Sequence, residues 1–110
     1  MRTLLSAVLF GALLVSPAWA AEKLTRQAID TAAFDGKLPR TDRPSALAVK
    51  VQVLLDRANF SPGEIDGRFG ENVQKALRAF TEASGLASSK ALTPEIWTKL
   101  QEVSSEPVTI

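Results

Sequence analysis

The sequence predicts an all-α protein: a compact three-helix domain with a pseudo-duplicated loop–helix unit, preceded by a short N-terminal helix. Three observations carry that expectation. Apolar side chains recur at helical spacing between Pro44 and Asn59, from Glu71 to about Ser84, and from Pro94 through Leu100. Start and stop residues bracket these segments, with Thr93-Pro94 opening the last and Gly85 closing the one before it. Sliding the chain by twenty-three residues lays Asp66-Gly67-Arg68-Phe69-Gly70-Glu71-Asn72-Val73 on Ser89-Lys90-Ala91-Leu92-Thr93-Pro94-Glu95-Ile96, and Leu77 on Leu100. Two units are too few for a solenoid, so they belong to one small domain.

The first twenty residues are set apart from the rest. Arg2 precedes a charge-free, mostly apolar run from Leu4 to Val15, and Ala18-Trp19-Ala20 fits a small-residue cleavage site before Ala21. That layout predicts a signal peptide over residues 1–20, too short in its apolar part for a spanning helix. No stable membrane insertion is expected after cleavage. Arg2 is the only charge in this stretch, so the ninety residues after it hold twelve basic and twelve acidic side chains. A neutral chain has no global pull towards nucleic acid or anionic lipid, and its binding has to come from a local site.

From Ala21 to Asp35 the chain is rich in alanine, with Leu24, Ala28 and Ala32 at a four-residue spacing, and a short helix is expected. Gly36, Pro39 and the charges up to Arg43 read as a polar connector ending at Pro44, which sets off residues 21–44 from a domain over 45–101. In that domain's first helix Leu47, Val51, Leu54, Leu55 and Ala58 share a face, while Lys50, Gln52, Asp56 and Arg57 lie elsewhere. The following stretch, Phe60 to Gly70, reads as an ordered loop because Phe60, Ile65 and Phe69 all call for burial. Val73, Ala76, Leu77, Phe80 and Ala83 form the stripe of the next helix, which Gly85 ends in a left-handed conformation with Leu86 as the apolar contact after it. Thr93 caps the last helix, with Leu92 and Trp97 at the staple positions and Ile96, Trp97 and Leu100 on its apolar face. The tail, residues 102–110, shows no periodicity and is expected to lie outside the core.

Composition narrows the chemistry. The chain has no cysteine and no histidine, which excludes a Ser-His-Asp or Cys-His nucleophile pair, an ordinary tetrahedral zinc site, a disulfide framework and a thiol redox centre. Glu64 and Asp66 are close enough in sequence to suggest a glycosidase pair, and Ser88, Ser89 and Lys90 hold the elements of a Ser-Lys dyad. Two acids on one short surface loop, and a polar connector, are the commoner states of such residues. The expectation is a non-enzyme without metal or cofactor.

Val51-Gln52-Val53-Leu54-Leu55, Ser61-Pro62-Gly63-Glu64-Ile65-Asp66-Gly67-Arg68-Phe69-Gly70, Ala76-Leu77-Arg78-Ala79-Phe80, Gly85-Leu86 and Leu92-Thr93-Pro94-Glu95-Ile96-Trp97-Thr98-Lys99-Leu100 together resemble the peptidoglycan-binding-like domain. The order and spacing of these segments carry the resemblance. It implies a three-helix fold that binds bacterial cell-wall peptidoglycan and accompanies a catalytic module. The stretch from Leu24 through Leu100 further resembles the non-catalytic N-terminal part of exported L,D-transpeptidases, whose cysteine and histidine module has no counterpart here. Val73 and Ile96 stand where the family often has threonine, Thr81 where it commonly has glutamine, and Ser89-Lys90 where it has an Asp-Gly turn pair.

With peptidoglycan as the implied partner, the loop from Gly63 to Gly70 is the expected receptor for a stem peptide, and the candidate ligand-binding residues are Gly63, Asp66, Gly67, Arg68, Phe69, Gly70 and Glu71. Glycines let a ligand approach backbone amides, and the helix that starts at Glu71 offers unpaired N–H groups and a partial positive charge to a carboxylate. Arg68 adds a forked donor. Glu71 opposes an anion at that helix start but suits the ammonium group of a diamino acid. The same residues also have structural roles open to them: Asp66 in its own turn, the glycines in tight bends, Phe69 in the core, Arg68 as a solvated charge. Export together with the resemblance implies the periplasm or cell envelope of a bacterium, with peptidoglycan or muropeptide as the expected partner and no nucleic acid. The alternatives are a protein-interaction or regulatory module for an envelope enzyme, or a truncated L,D-transpeptidase lacking its catalytic domain.

Overall fold

The structure, a computed structural model, describes residues 23–109; the signal peptide expected at residues 1–20 lies outside the described residues. Four helices follow one another: α1 (Arg26–Thr31), α2 (Ala46–Arg57), α3 (Glu71–Ala83) and α4 (Pro94–Gln101). Among the described residues there is no strand, and no helix is long and apolar enough to cross a membrane. Helix α2 is central, and α1, α3 and α4 all pack against it.

The helix ends follow from their residues. Ser45 Oγ accepts the Ala48 amide at the start of α2, and Thr93 Oγ1 accepts the Ile96 amide at the start of α4, where Pro94 occupies the first turn. At the end of α3, Gly85 sits at φ 77°, and the Leu86 and Gly85 amides return to the carbonyls of Thr81 and Glu82. Helix α2 ends in the same way on Asn59, at φ 70°, with the Phe60 amide donating to the Leu55 carbonyl. These closures turn the chain back so that Phe60 meets Phe80 edge to face, ring centroids 5.7 Å apart. Leu54, Leu55, Val73, Leu77, Ile96 and Leu100 fill the space between α2, α3 and α4, and Leu92 and Trp97 are both buried as the staple pattern predicts.

Four expectations are corrected. The N-terminal helix is only six residues long, not a run through Asp35, because the backbone leaves the helix at Ala32, where ψ is 140°. Its anchor is Ile29, whereas Leu24 is exposed. On α2 the buried face includes Ala48 and Gln52, and on α3 Thr81 is buried where Ala83 is exposed. Ile65 does not bury; it is 49% exposed, because the loop turns its backbone rather than that side chain towards α2.

The fourth correction concerns the C-terminal segment. Val108 is buried in the core cluster. The Asp30 carboxylate accepts the Val108 and Thr109 amides at 3.0 and 3.1 Å and the Thr109 hydroxyl at 2.6 Å. From α2, Arg57 donates to the carbonyls of Glu106 and Pro107 at 3.1 and 2.8 Å. A segment held largely through its backbone and by one buried side chain needs no hydrophobic period, so the tail docks without a pattern that announces it.

Candidate functional site

The loop between α2 and α3 is organised from below by one side chain. Gln52 is 1% exposed, and its Nε2 donates to Asp66 Oδ1 at 2.9 Å and to the Arg68 carbonyl at 3.2 Å, with a longer contact to the Glu64 carbonyl at 3.4 Å. Its Oε1 accepts the Gly67 amide at 2.8 Å. The carboxamide thus satisfies in both directions backbone groups that have no helix or strand partner. Asp66 Oδ1 also accepts the Arg68 amide at 2.9 Å, closing an Asx turn.

Gly67 is required on two grounds. Its φ is 78°, and a Cβ there would come within 3.1 Å of both Pro44 Cβ and Val49 Cγ2. The close approach lets the Ser45 amide donate to the Gly67 carbonyl at 2.9 Å, and the Phe69 amide donates to the Arg40 carbonyl at 3.3 Å. The loop is therefore clamped between Gln52 on one side and the connector on the other.

Above this clamp lies an open cavity of about 230 Å³. Glu64, Asp66, Arg68, Gly70, Glu71 and Asn72 line its polar walls, with Gln52, Pro62 and Val73 beneath. Of the residues proposed from the sequence, Asp66, Arg68, Gly70 and Glu71 meet here. Gly67 and Phe69 are buried in the support rather than exposed to the cavity, and Gly63, at φ 79°, backs onto Asn72. Sequence reasoning missed Gln52, Pro62, Asn72 and Val73 as lining residues, and weighed Glu64 only as a catalytic acid. Gln52 was hidden by its polarity, which assigned it to the solvated side of α2.

The charges are arranged as a mixed set. Gly70 supplies no side-chain cap, so the first turn of α3 keeps its N–H groups for another acceptor. The Arg68 guanidinium makes no hydrogen bond to a described residue. Glu71 lies 3.7 Å from Lys75 in an exposed pair of little energetic weight. The Gln52 amide, and then the Arg68 N–H, hold the Asp66 carboxyl below its ordinary value of 3.8, against a smaller desolvation effect. The depressed folded value means that Asp66 stabilises the loop above the ordinary carboxylate range and loses that contribution as pH falls through the lower value. A pH titration of the Gly67 and Arg68 amide resonances is expected to show a midpoint below 3.8; a midpoint at or above it would remove the Asp66 clamp.

The duplicated unit provides an internal comparison. A second cavity, about 280 Å³, is lined by Ala87, Ser89, Thr93, Glu95 and Ile96, the partners of Glu64, Asp66, Gly70, Asn72 and Val73 in the twenty-three-residue shift. Ser89 closes a turn of its own, its Oγ accepting the Ala91 amide at 3.0 Å. Thr81 plays the part of Gln52, accepting the Ser89 amide at 3.1 Å. The two units differ at their helix starts: Thr93 fills the α4 cap that Gly70 leaves open on α3, and Ala91 and Pro94 replace Arg68 and Glu71. Of these two cavities, the first combines open amides with both signs of charge.

A clamped loop, an uncapped helix start and a mixed-charge cavity thus sit together on a small helical domain. A family model described as "Putative peptidoglycan binding domain" matches residues 45–100, more than half of the chain, and the protein belongs to that family. The family is one of non-catalytic binding domains, with peptidoglycan as partner. Comparison with curated proteins and with solved structures returned no match.

Proposed function

We propose that the cavity at the start of α3 binds the stem peptide of peptidoglycan, with the open α3 amides and Arg68 taking a peptide carboxylate and Glu64, Asp66 and Glu71 facing an ammonium group. The observation that carries this proposal is the contrast between the two units: the amides are left open at Gly70 and capped at Thr93. A stem peptide carries both charge types on a short chain, and the cavity offers a counterpart for each.

Co-sedimentation of residues 21–110 with insoluble peptidoglycan is the test. Recovery no greater than that of an inert protein of similar size would overturn the proposal. Arg68→Ala is expected to weaken retention roughly tenfold, the loss of one charge-assisted hydrogen bond, while leaving the melting temperature within a few degrees of wild type. Unchanged retention would move the site elsewhere.

Gly70→Asp separates the fold from the site more sharply. The position has extended φ and ψ of −92° and −165°, and a Cβ there meets nothing within 4 Å, so a capping carboxylate fits. It is expected to stabilise α3 by roughly 0.5–1 kcal/mol through the cap and the helix dipole. The same carboxylate occupies the anion position, so retention is expected to fall as stability rises. A parallel gain in both would show that the helix start does not receive the ligand.

We further infer that residues 1–20 direct export to the periplasm or cell envelope, supported by the leader layout before Ala21. A cell-derived protein whose mass begins at Met1 would overturn this. The resemblance to exported L,D-transpeptidases supports a role beside such a catalytic module. Coding DNA that continues in frame past residue 110 into a cysteine- and histidine-bearing module would establish that link, and a stop codon there would count against it.

A further inference from the structure

We propose that the N-terminal segment from α1 to Ser45 is a strap that couples the docking of the C-terminal segment to the geometry of the α2–α3 loop, with Asp30 as the residue that latches it. The strap is held at both ends by bonds to parts of the chain far away in sequence. At its first end, both Asp30 carboxylate oxygens are engaged by the C-terminal segment, Oδ1 by the Val108 and Thr109 amides and Oδ2 by the Thr109 hydroxyl. Lys50 Nζ, 5.7 Å from the centre of the Trp97 ring, donates to the carbonyls of Asp30 and Ala32 at 2.7 and 3.0 Å and so fixes the end of α1 to the core. At its other end, the strap meets the site loop: the Arg40 carbonyl accepts the Phe69 amide, the Ser45 amide donates to the Gly67 carbonyl, and Pro44 lies against Gly67.

Between these ends Phe34 packs on the core, and Gly36, at φ 102°, turns the chain with nothing within 4 Å of a Cβ. Between latch and loop the strap therefore passes the Phe34 contact and the open bend at Gly36. Its two docked ends share the backbone of one short helix and connector, so undocking one lowers the cost of undocking the other. Coupling of this kind is reciprocal: whatever loosens the latch loosens the loop, and whatever distorts the loop loosens the latch. The coupling needs no ligand. If the cavity is the peptidoglycan site proposed above, the same strap also ties the strength of binding to the position of the C-terminal segment.

Amide hydrogen exchange on residues 21–110 tests the proposal, read at Val108 and Thr109 for the latch and at Ser45 and Phe69 for the loop. Thr109→Val removes one hydroxyl donor from Asp30 and leaves both backbone bonds in place. It is expected to speed exchange at Val108 about fivefold and at Phe69 about twofold or more, with Leu77 and Leu100 at wild-type rates. Asp30→Asn, which removes the charge, is expected to produce larger changes in the same order. The reciprocal variant, Gly67→Ala, places a methyl against Pro44 and is expected to speed exchange at Val108 from the far end of the strap. Faster exchange at Val108 with Ser45 and Phe69 unchanged in both latch variants would overturn the coupling. Unchanged exchange at Val108 itself would overturn the assignment of Asp30 as the latch. None of these readouts depends on peptidoglycan binding, so the strap and the binding proposal stand or fall separately.

Discussion

Gln52→Ala is expected to destabilise the protein by about 3 kcal/mol and to abolish retention on peptidoglycan. The substitution removes the two short bonds from Nε2, to Asp66 Oδ1 and the Arg68 carbonyl, and the bond from the Gly67 amide to Oε1. Gly67 is itself buried, and its N–H would lose the acceptor it has in the native loop. An orphaned buried amide costs about 1–3 kcal/mol, and the lost bond to a charged carboxylate adds about 1.5–3 kcal/mol before relaxation. For a domain of this size about 3 kcal/mol lowers the melting temperature by roughly 12–24 °C.

The conservative variant makes the mechanism specific. Gln52→Glu keeps the shape and one oxygen to accept the Gly67 amide, but sets a second carboxylate against Asp66 Oδ1, which is 2.9 Å from Nε2 in the native loop. Two carboxylates that close cannot both ionise cheaply, so one carboxyl is raised above its ordinary range. The group with the raised folded value regains stability as pH falls, the opposite sign to Asp66 in the wild type. Thermal melts across neutral to mildly acidic pH are expected to converge on wild type as the pH drops. A constant deficit would mean that Gln52 acts by packing alone.

The case of Gln52 shows where sequence patterns stop being informative. Helices α2, α3 and α4 were legible because each buries a stripe at the helical period, and their ends because Thr93, Pro94 and Gly85 do what their backbone chemistry favours. A buried amide that serves a loop breaks the stripe and reads as surface. Thr81 was obscured in the same way. The tail was illegible for a different reason: apart from Val108 and the Thr109 hydroxyl, it docks through backbone amides and carbonyls to Asp30 and Arg57, and such groups leave no mark on the sequence pattern. In the candidate site the charged residues Asp66, Arg68 and Glu71 stood out, while the division of the glycines did not. Gly67 supports the loop and Gly70 opens the helix, a difference set by the neighbours Pro44 and Val49 and visible only once the chain is folded.

Leu77→Ala is expected to cost about 3–4 kcal/mol and to remove binding near 37 °C without touching the cavity. Leu77 is fully buried in the middle of α3, and its partner in the duplicated unit, Leu100, is fully buried on α4. The chain has no cysteine, so the core carries the fold without covalent help. Small domains of this length have a total stability of roughly 4–13 kcal/mol, of which a single core cavity takes a large share. Arg78→Ala on the exposed side of the same helix is expected to stay within about 0.5 kcal/mol of wild type. Calorimetric melts measure the difference, and a shift below about 3 °C for Leu77→Ala would mean that the core closes over the missing atoms. Temperature then separates this variant from Gln52→Ala. Below its melting point Leu77→Ala keeps the Gln52 clamp and the open start of α3, so retention on peptidoglycan should return on cooling. Gln52→Ala lacks the clamp at every temperature, and its retention should stay lost in the cold, where the helices are intact.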